Sequence, residues 1–229
     1  MFPRPSRQTG FSLIELMIVV VLLAIVAAFA MPAFQSLIAS SRLTADTNEL
    51  IAGLNLARSE AVRMQRRVIL CRTTSSNGVA VLTATSGCVT TADATPWQAW
   101  AVFIDSDADG VFDGNETIIR TQVVGTSLNF VSDATLGAAG NRIVFRPDGL
   151  ARAHGATGLQ SASVNVCDQS GALATQNMRV VSLVTGSRMS VTRQTNQSST
   201  GCSAVAASTE EDEASETTQD GSGSGGGGS

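Results

Sequence analysis

From Leu16 to Phe34 the chain carries no charged side chain, and Pro32 is the only residue there that interrupts helical hydrogen bonding. These residues make about 28 Å of helix at about 1.5 Å per residue, which matches the hydrocarbon core of a bilayer. Beyond Pro32 the apolar positions thin to one stripe: Leu43, Thr47, Leu50, Leu54, Ala57, Ala61 and Met64 recur at three- and four-residue intervals. Arg42, Asp46, Glu49, Arg58, Glu60 and Arg63 surround that stripe. The pattern predicts one helix from Phe11 to about Arg67, greasy all round in its first half and buried on one side in its second. Pro32 should kink it, and Gly53 suits a close approach to a sheet.

From Val68 the period changes to two. Val68–Cys71, Val79–Thr83, Trp97–Asp105, Thr117–Val124, Arg142–Phe145, Ser163–Cys167, Met178–Val184 and Arg188–Arg193 read as short strands separated by Gly, Asn, Asp and Ser clusters. Connections this short cannot make parallel crossovers, so the sheet should be antiparallel. The expected class is α+β: a long N-terminal helix packed on a small antiparallel β-domain.

One acid stands in the greasy segment. Glu15 follows the short leader 1–10, whose Arg4 and Arg7 favour a cytoplasmic N-terminus. A secretory signal peptide with Ala28–Ala30 as its cleavage site is one reading, but the apolar run is long for it and contains Glu15. A plain membrane anchor leaves the acid unexplained, and a lone carboxylate in lipid costs about 2.5–3.5 kcal/mol even on the lenient insertion scales.

The stretch GFSLIEL, behind a basic leader and ahead of an apolar helix, resembles the signature of type IV prepilins and type II secretion pseudopilins. The resemblance implies cleavage between Gly10 and Phe11 by the prepilin peptidase, with methylation of the new Phe11 amine. Glu15 then falls at the fifth mature position. An α-amine of ordinary pKa near 8 is a cation, so Glu15 can pair with the Phe11 amine of a neighbouring subunit inside an apolar filament core, or transiently with its own. Breaking such a pair strands a charge. A subunit that keeps this acid can dock beneath another and is expected at an internal position in a tip complex.

The β-segment WQAWAVFIDSDADGVFDGNETIIRT, then NRIVFRPDGLA, then VSLVTGSRMSV resemble the GspH/FimT family of minor pilins and pseudopilins, FimU-like members included. The resemblance runs from Gly10 to Cys202. It implies a subunit that joins a tip complex and primes type IV pilus assembly. The implied partners are the prepilin peptidase, other minor pilins, the major pilin, the inner-membrane assembly platform and, before assembly, membrane lipid. A pseudopilin H of type II secretion and a DNA-binding pilin in DNA uptake stay open as alternatives. The organisation expected is a leader at 1–10, a membrane and filament-core helix at 11–34, its amphipathic continuation at 35–67, a periplasmic β-domain at 68–202, and a tail at 203–229. That tail is acidic, then Gly/Ser-rich, and too poor in apolar residues to fold. Its end looks like an engineered linker or a native disordered extension. The implied location is the bacterial inner membrane, single-pass with the β-domain in the periplasm, and afterwards a pilus tip or pseudopilus.

Charge changes the picture little. Net charge is −4, and Glu210–Asp220 alone holds six acids. The rest, leader aside, is neutral, with no basic footprint for nucleic acid. Cys71, Cys88, Cys167 and Cys202 form no CxxC, which argues against zinc. An even count behind a membrane segment favours disulfides. Three pairings are possible; Cys71–Cys88 and Cys167–Cys202 are expected, each closing a polar loop, with free buried thiols the alternative.

Two constellations remain. Asp105, Asp107, Asp109, Gly110 and Glu116 fit the spacing D-x-[DN]-x-[DN]-G-x5-E of calcium loops, with the Val111 carbonyl and Asp113 able to add oxygens. The strand-like flanks contradict a helix–loop–helix calcium motif, and a polar hairpin built on turn residues fits the same stretch. The stretch Gly186–Arg193 lies where DNA-binding relatives carry an arginine motif, but Ser187 and Ser190 break it, and Arg188 and Arg193, even counting Arg179, imply weak DNA binding at best. No nucleophile–base pair, phosphate loop or hydrolase metal motif occurs, and His154 sits in a Gly/Ala-rich turn. An enzyme is not expected, and no cofactor is required, calcium being the one candidate.

Overall fold

The computed structural model describes residues 12–93, 95–196 and Cys202. The cleavage residues Gly10 and Phe11, the leader and the tail from 203 lie outside the described residues.

The chain opens with α1, Leu13–Met64, a single 52-residue helix that continues through Pro32 and is about 78 Å long at about 1.5 Å per residue. It stops three residues before the expected end. Gln65 adopts the left-handed conformation (φ 52°) that closes helices, and its side-chain amide donates back to the Val62 carbonyl at 2.7 Å.

Nine strands follow: β1 (Arg67–Ser76), β2 (Val79–Val81), β3 (Ala99–Asp105), β4 (Ile118–Val123), β5 (Leu128–Ser132), β6 (Arg142–Phe145), β7 (Ala162–Asp168), β8 (Met178–Val184) and β9 (Arg188–Gln194), with a short helix α2 (Ala134–Ala138) after β5. Every pairing is antiparallel. They form two sheets. In the first, β2, β1, β3 and β4 lie in that order with β6 also on β1; in the second the order is β5, β7, β8, β9. The sequence pattern missed β5 and α2 and cut β1 short at Cys71.

Both sheets pack on the second half of α1. Its buried stripe is Ala39, Leu43, Thr47, Leu50, Gly53, Leu54, Ala57 and Ala61. Met64, expected in that stripe, is exposed beside the helix end. Alternation along β1 explains why both its faces are apolar. Val68 and Leu70 join the helix-facing core with Trp100, Val102, Phe145, Val166 and Val181. Ile69 and Cys71 point the other way, into a second cluster with Ala101, Phe103, Phe112 and Val144. Outside the core, Glu49 of α1 is ion-paired with Arg120 of β4, whose guanidinium lies 5.9 Å from the Trp100 ring centre.

Two disulfides close the β-domain, Cys71–Cys88 and Cys167–Cys202, as the sequence led us to expect. The first fastens β1 to the long connection before β3; the second fastens Cys202 to the outer face of β7, among Val131, Met178 and Val180.

Candidate assembly helix and acidic loop

The β-domain covers only the latter part of α1. From Ser12 to Gln35 every residue is exposed, and the first buried helical position is Ala39. Leu13 and Phe29 are each 78 % exposed and Phe34 63 %. A surface this apolar cannot remain in water, because each square ångström of apolar area left wet costs on the order of 25 cal/mol. The segment is long and apolar enough to cross a membrane. Glu15 sits in the first turn of α1, where a carboxylate is favoured by the positive end of the helix dipole. It forms no ion pair among the described residues. Its sequence-expected partner, the Phe11 amine, lies outside them.

The calcium-spaced residues are brought together at the β3–β4 connection. Oxygens of Asp105, Asp107 and Asp109 all lie within 4.8 Å of one another. Asp105 ends β3 and is 1 % exposed, with neither carboxylate oxygen hydrogen-bonded. Burial raises its pKa; the amides of Gly110 and Ala108 and the charge of Arg67 oppose that without any of them closing a bond to it. Glu116 accepts from the Ser106 amide at 2.6 Å through Oε1, while its buried Oε2 has no partner. Burial, with the charges of Asp105, Asp113 and Asp107, pushes its pKa up to about 7. Asp113 is turned to the Asn115 amide at 2.9 Å. The flanks are strands, so the loop is a hairpin connection.

The arginines do not assemble. Arg179 is 7 % exposed and donates to the carbonyls of Gln176 (2.7 Å) and Met178 (3.1 Å). This corrects the expectation that it serves a phosphate. Arg188 and Arg193 are exposed at opposite ends of β9. The turn before β9 is docked rather than free: the Ala151 amide donates to Gly186 at 2.6 Å, and Arg58 of α1 donates to the Ser187 carbonyl at 3.2 Å.

Comparison with known proteins assigns the chain. The family model described as "Type II transport protein GspH" matches residues 46–187, from the buried stripe of α1 to the β8–β9 turn. The chain belongs to the GspH family. A model of the "Prokaryotic N-terminal methylation motif" matches residues 5–31, the stretch that contains Gly10, Phe11 and Glu15. This GspH-family chain is 30 % identical over 137 residues to a "Fimbrial protein" of Moraxella nonliquefaciens, spanning 58 % of this chain and 82 % of the relative. It is 52 % identical over 48 residues to the "Type IV major alpha-pilin" of Moraxella bovis, of whose length those residues make 30 %. Among solved structures, the type IV minor pilin FimU of Pseudomonas aeruginosa is similar at 16 % identity, with a TM-score of 0.44 over 69 % of this chain and 96 % of that one. The GspH match ends at Ser187, so it includes the acidic loop and excludes Arg188 and Arg193.

Proposed function

We propose that this GspH-family chain is a minor pilin that waits in the bacterial inner membrane by residues 11–34, with its β-domain in the periplasm, and is then drawn into the tip complex that primes a type IV pilus. The observation that carries the reading is the division of α1: an apolar, uncovered half bearing one acid, continuous with a half that the β-domain buries. An apolar rod of this kind exchanges lipid for neighbouring rods at little cost, whereas the β-domain stays outside. Cleavage after Gly10 would create on Phe11 the amine that Glu15 of an adjoining subunit needs. The partners are other pilins, the prepilin peptidase and the assembly platform, and the role itself uses no cofactor or catalysis.

A second reading is a pseudopilin of type II secretion. It is favoured by the printed description of the matching family, as the pilus is by the names of the Moraxella relatives. DNA uptake has least support, because Arg179 is bonded to carbonyls.

The test has two arms. Mass spectrometry of the mature protein should find an N-methylated Phe11 at the N-terminus; a start after Ala30 overturns the filament reading. Deletion followed by parallel assays of twitching, protein secretion and transformation should abolish twitching alone. Loss of secretion alone replaces the pilus by the pseudopilus.

A further inference from the structure

The β3–β4 connection gathers Asp105, Asp107, Asp109, Asp113 and Glu116, and among the described residues none of the five is in an ion pair. Two arginines are close enough to feel the charge. Arg67 donates instead to the Ala108 carbonyl at 2.8 Å and Arg142 to the Gly110 carbonyl at 2.5 Å. Both bonds shape the loop and neither reaches a carboxylate; Asp107 and Asp109 accept the backbone amides of Asp109 (3.3 Å) and Val111 (2.7 Å).

Asp105 is the decisive residue. An ionised carboxylate withdrawn from water needs hydrogen bonds or a counter-charge, and this one, 1 % exposed, has no hydrogen bond on either oxygen and no ion pair, Arg67 and Arg142 acting on it only from a distance. It is aimed at Asp107 and Asp109, its oxygens within 4.8 Å of theirs. Calcium binds oxygen at about 2.3–2.6 Å, so two oxygens on opposite sides of one ion stand about 5 Å apart. The triad fits inside that span. A fourth carboxylate oxygen is available: Oε2 of Glu116 is buried and unbonded, while Oε1 is held by the Ser106 amide.

The backbone holds this cluster together. Ala108 and Gly110 take left-handed φ values of 69° and 78°, which fold residues 105–110 back on themselves. A β-carbon at Gly110 would strike the imidazole of His154. On the far side Phe112 is buried edge-on against Phe103, ring centres 5.4 Å apart. The loop is therefore pinned at both ends, with Asp105 buried and Asp107 and Asp109 exposed beside it.

The geometry points to a calcium site in the β3–β4 hairpin, ligated by Asp105, Asp107, Asp109 and Glu116, with the Val111 carbonyl and water completing the shell. Calcium rather than magnesium fits, because the site is rich in carboxylates and short of the near-ideal octahedral order that magnesium demands. The ion would brace the joint between helix and sheet. Arg66 and Arg67, which directly follow the α1 terminus, donate to the carbonyls of Ser106 (3.2 Å) and Ala108 (2.8 Å) of the same loop. None of the ligands belongs to the apolar half of α1, so failure of this proposal leaves the pilin reading intact.

The experiment uses the full chain in detergent micelles. Radiolabelled calcium in flow dialysis should show one saturable site with Kd of about 0.1–1 mM, the range of extracellular modules. The melting temperature should rise with calcium by mass action, and less with magnesium. Asp109→Asn, an exposed position, and Asp105→Asn should each weaken binding by about tenfold or more through loss of ligand charge. In EDTA, Asp105→Asn should melt no lower than the parent, since it removes a buried charge that had no partner; this separates lost binding from lost fold. The proposal is overturned by a melting temperature indifferent to about 10 mM calcium, tenfold above the weak end of that range. It is equally overturned by an equal response to magnesium, or by undiminished binding in both variants, which would assign the calcium to the acidic segment 210–220.

Discussion

The indole of Trp100 occupies the place where a β-carbon on Gly53 would stand: the added carbon would lie 2.6 and 2.7 Å from two ring atoms. Trp100 is 1 % exposed and belongs to the core beneath α1, so the ring has nowhere to retreat. Glycine lets helix and sheet meet at this point. Two effects oppose each other in Gly53→Ala: alanine gains about 1 kcal/mol of helix propensity, and overpacking costs about 1–3 kcal/mol. With a rigid, buried ring as the obstacle, overpacking wins. Gly53→Ala should lower the melting temperature of the full chain, and the double change Gly53→Ala with Trp100→Leu should recover part of the loss.

A buried polar chain ties three connections together. The Trp97 indole donates to Ser132 (2.9 Å), Ser132 donates to Asn141 (2.6 Å), and the Asn141 amide donates to the carbonyls of Thr91 (2.7 Å) and Val89 (3.1 Å). Asn141 is fully buried and left-handed at φ 52°, which asparagine tolerates better than most residues. Asn141→Ala leaves the Val89 carbonyl without a donor and the Ser132 hydroxyl proton without an acceptor, at about 1–3 kcal/mol each, while the Thr91 carbonyl keeps the Asp93 amide. The expected loss is about 3 kcal/mol in denaturant unfolding. A loss below about 1 kcal/mol would mean that water replaces the amide.

Periodicity made the long elements legible. The stripe Leu43, Leu50, Leu54, Ala57 and Ala61 could be read because a helix with one covered face has a period the chain must obey. The strands of the β-domain were visible as β-branched runs between turn residues. What escaped were pieces whose reasons are tertiary. Residues Leu128–Ser132 form β5 through pairing with β7, and Asp133 caps α2 by accepting from Leu136, with only five helical residues to announce it. β1 extends past Cys71 because Arg72 and Thr73 pair with β3, and no apolar alternation marks that stretch. At the acidic loop the spacing of the aspartates was plain in sequence. The burial of Asp105 was not, because it depends on how Gly110, His154 and Phe112 close around the turn. The arginines of β8 and β9 looked alike in sequence, and only the fold turns Arg179 inward.

The disulfides should hold unequal shares of stability. Cys71–Cys88 spans 17 residues and Cys167–Cys202 spans 35. Loop-entropy estimates give about 3 kcal/mol for the shorter and about 4 for the longer. Paired serine variants, Cys71→Ser with Cys88→Ser and Cys167→Ser with Cys202→Ser, should therefore both lower the unfolding free energy, the second slightly more. Non-reducing peptide mapping should recover these two linkages and no others.

Asp133 gives a signed pH effect. Burial raises its pKa above the ordinary 3.8, against the opposing pull of the Leu136 amide. The folded state therefore holds this proton more tightly than the unfolded one. The associated stability is full below about pH 3.8 and declines as pH rises through the raised value. Asparagine caps helices about as well as aspartate, so Asp133→Asn should keep the hydrogen bond to Leu136 and lose that decline. The variant's advantage in melting temperature should grow from pH 4 to pH 7. An Asp133→Asn protein less stable than the parent at pH 7 would show that the cap needs the charge.

Glu15 separates insertion from assembly. A carboxylate near the start of an apolar span opposes partitioning into lipid, so Glu15→Gln, which keeps the shape and drops the charge, should enter the membrane at least as well as the parent. If the acid serves to pair with the Phe11 amine of an adjoining subunit, the same change should abolish incorporation into filaments, because it leaves that amine unpaired in an apolar core. Glu15→Asp, one methylene shorter, should restore part of it. Membrane fractionation and the sheared-filament fraction read the two quantities independently, while mass spectrometry confirms that cleavage before Phe11 is unaltered. Filaments containing Glu15→Gln subunits at the parental level would remove the charge pair from the account and leave apolar packing of α1 as the whole of assembly.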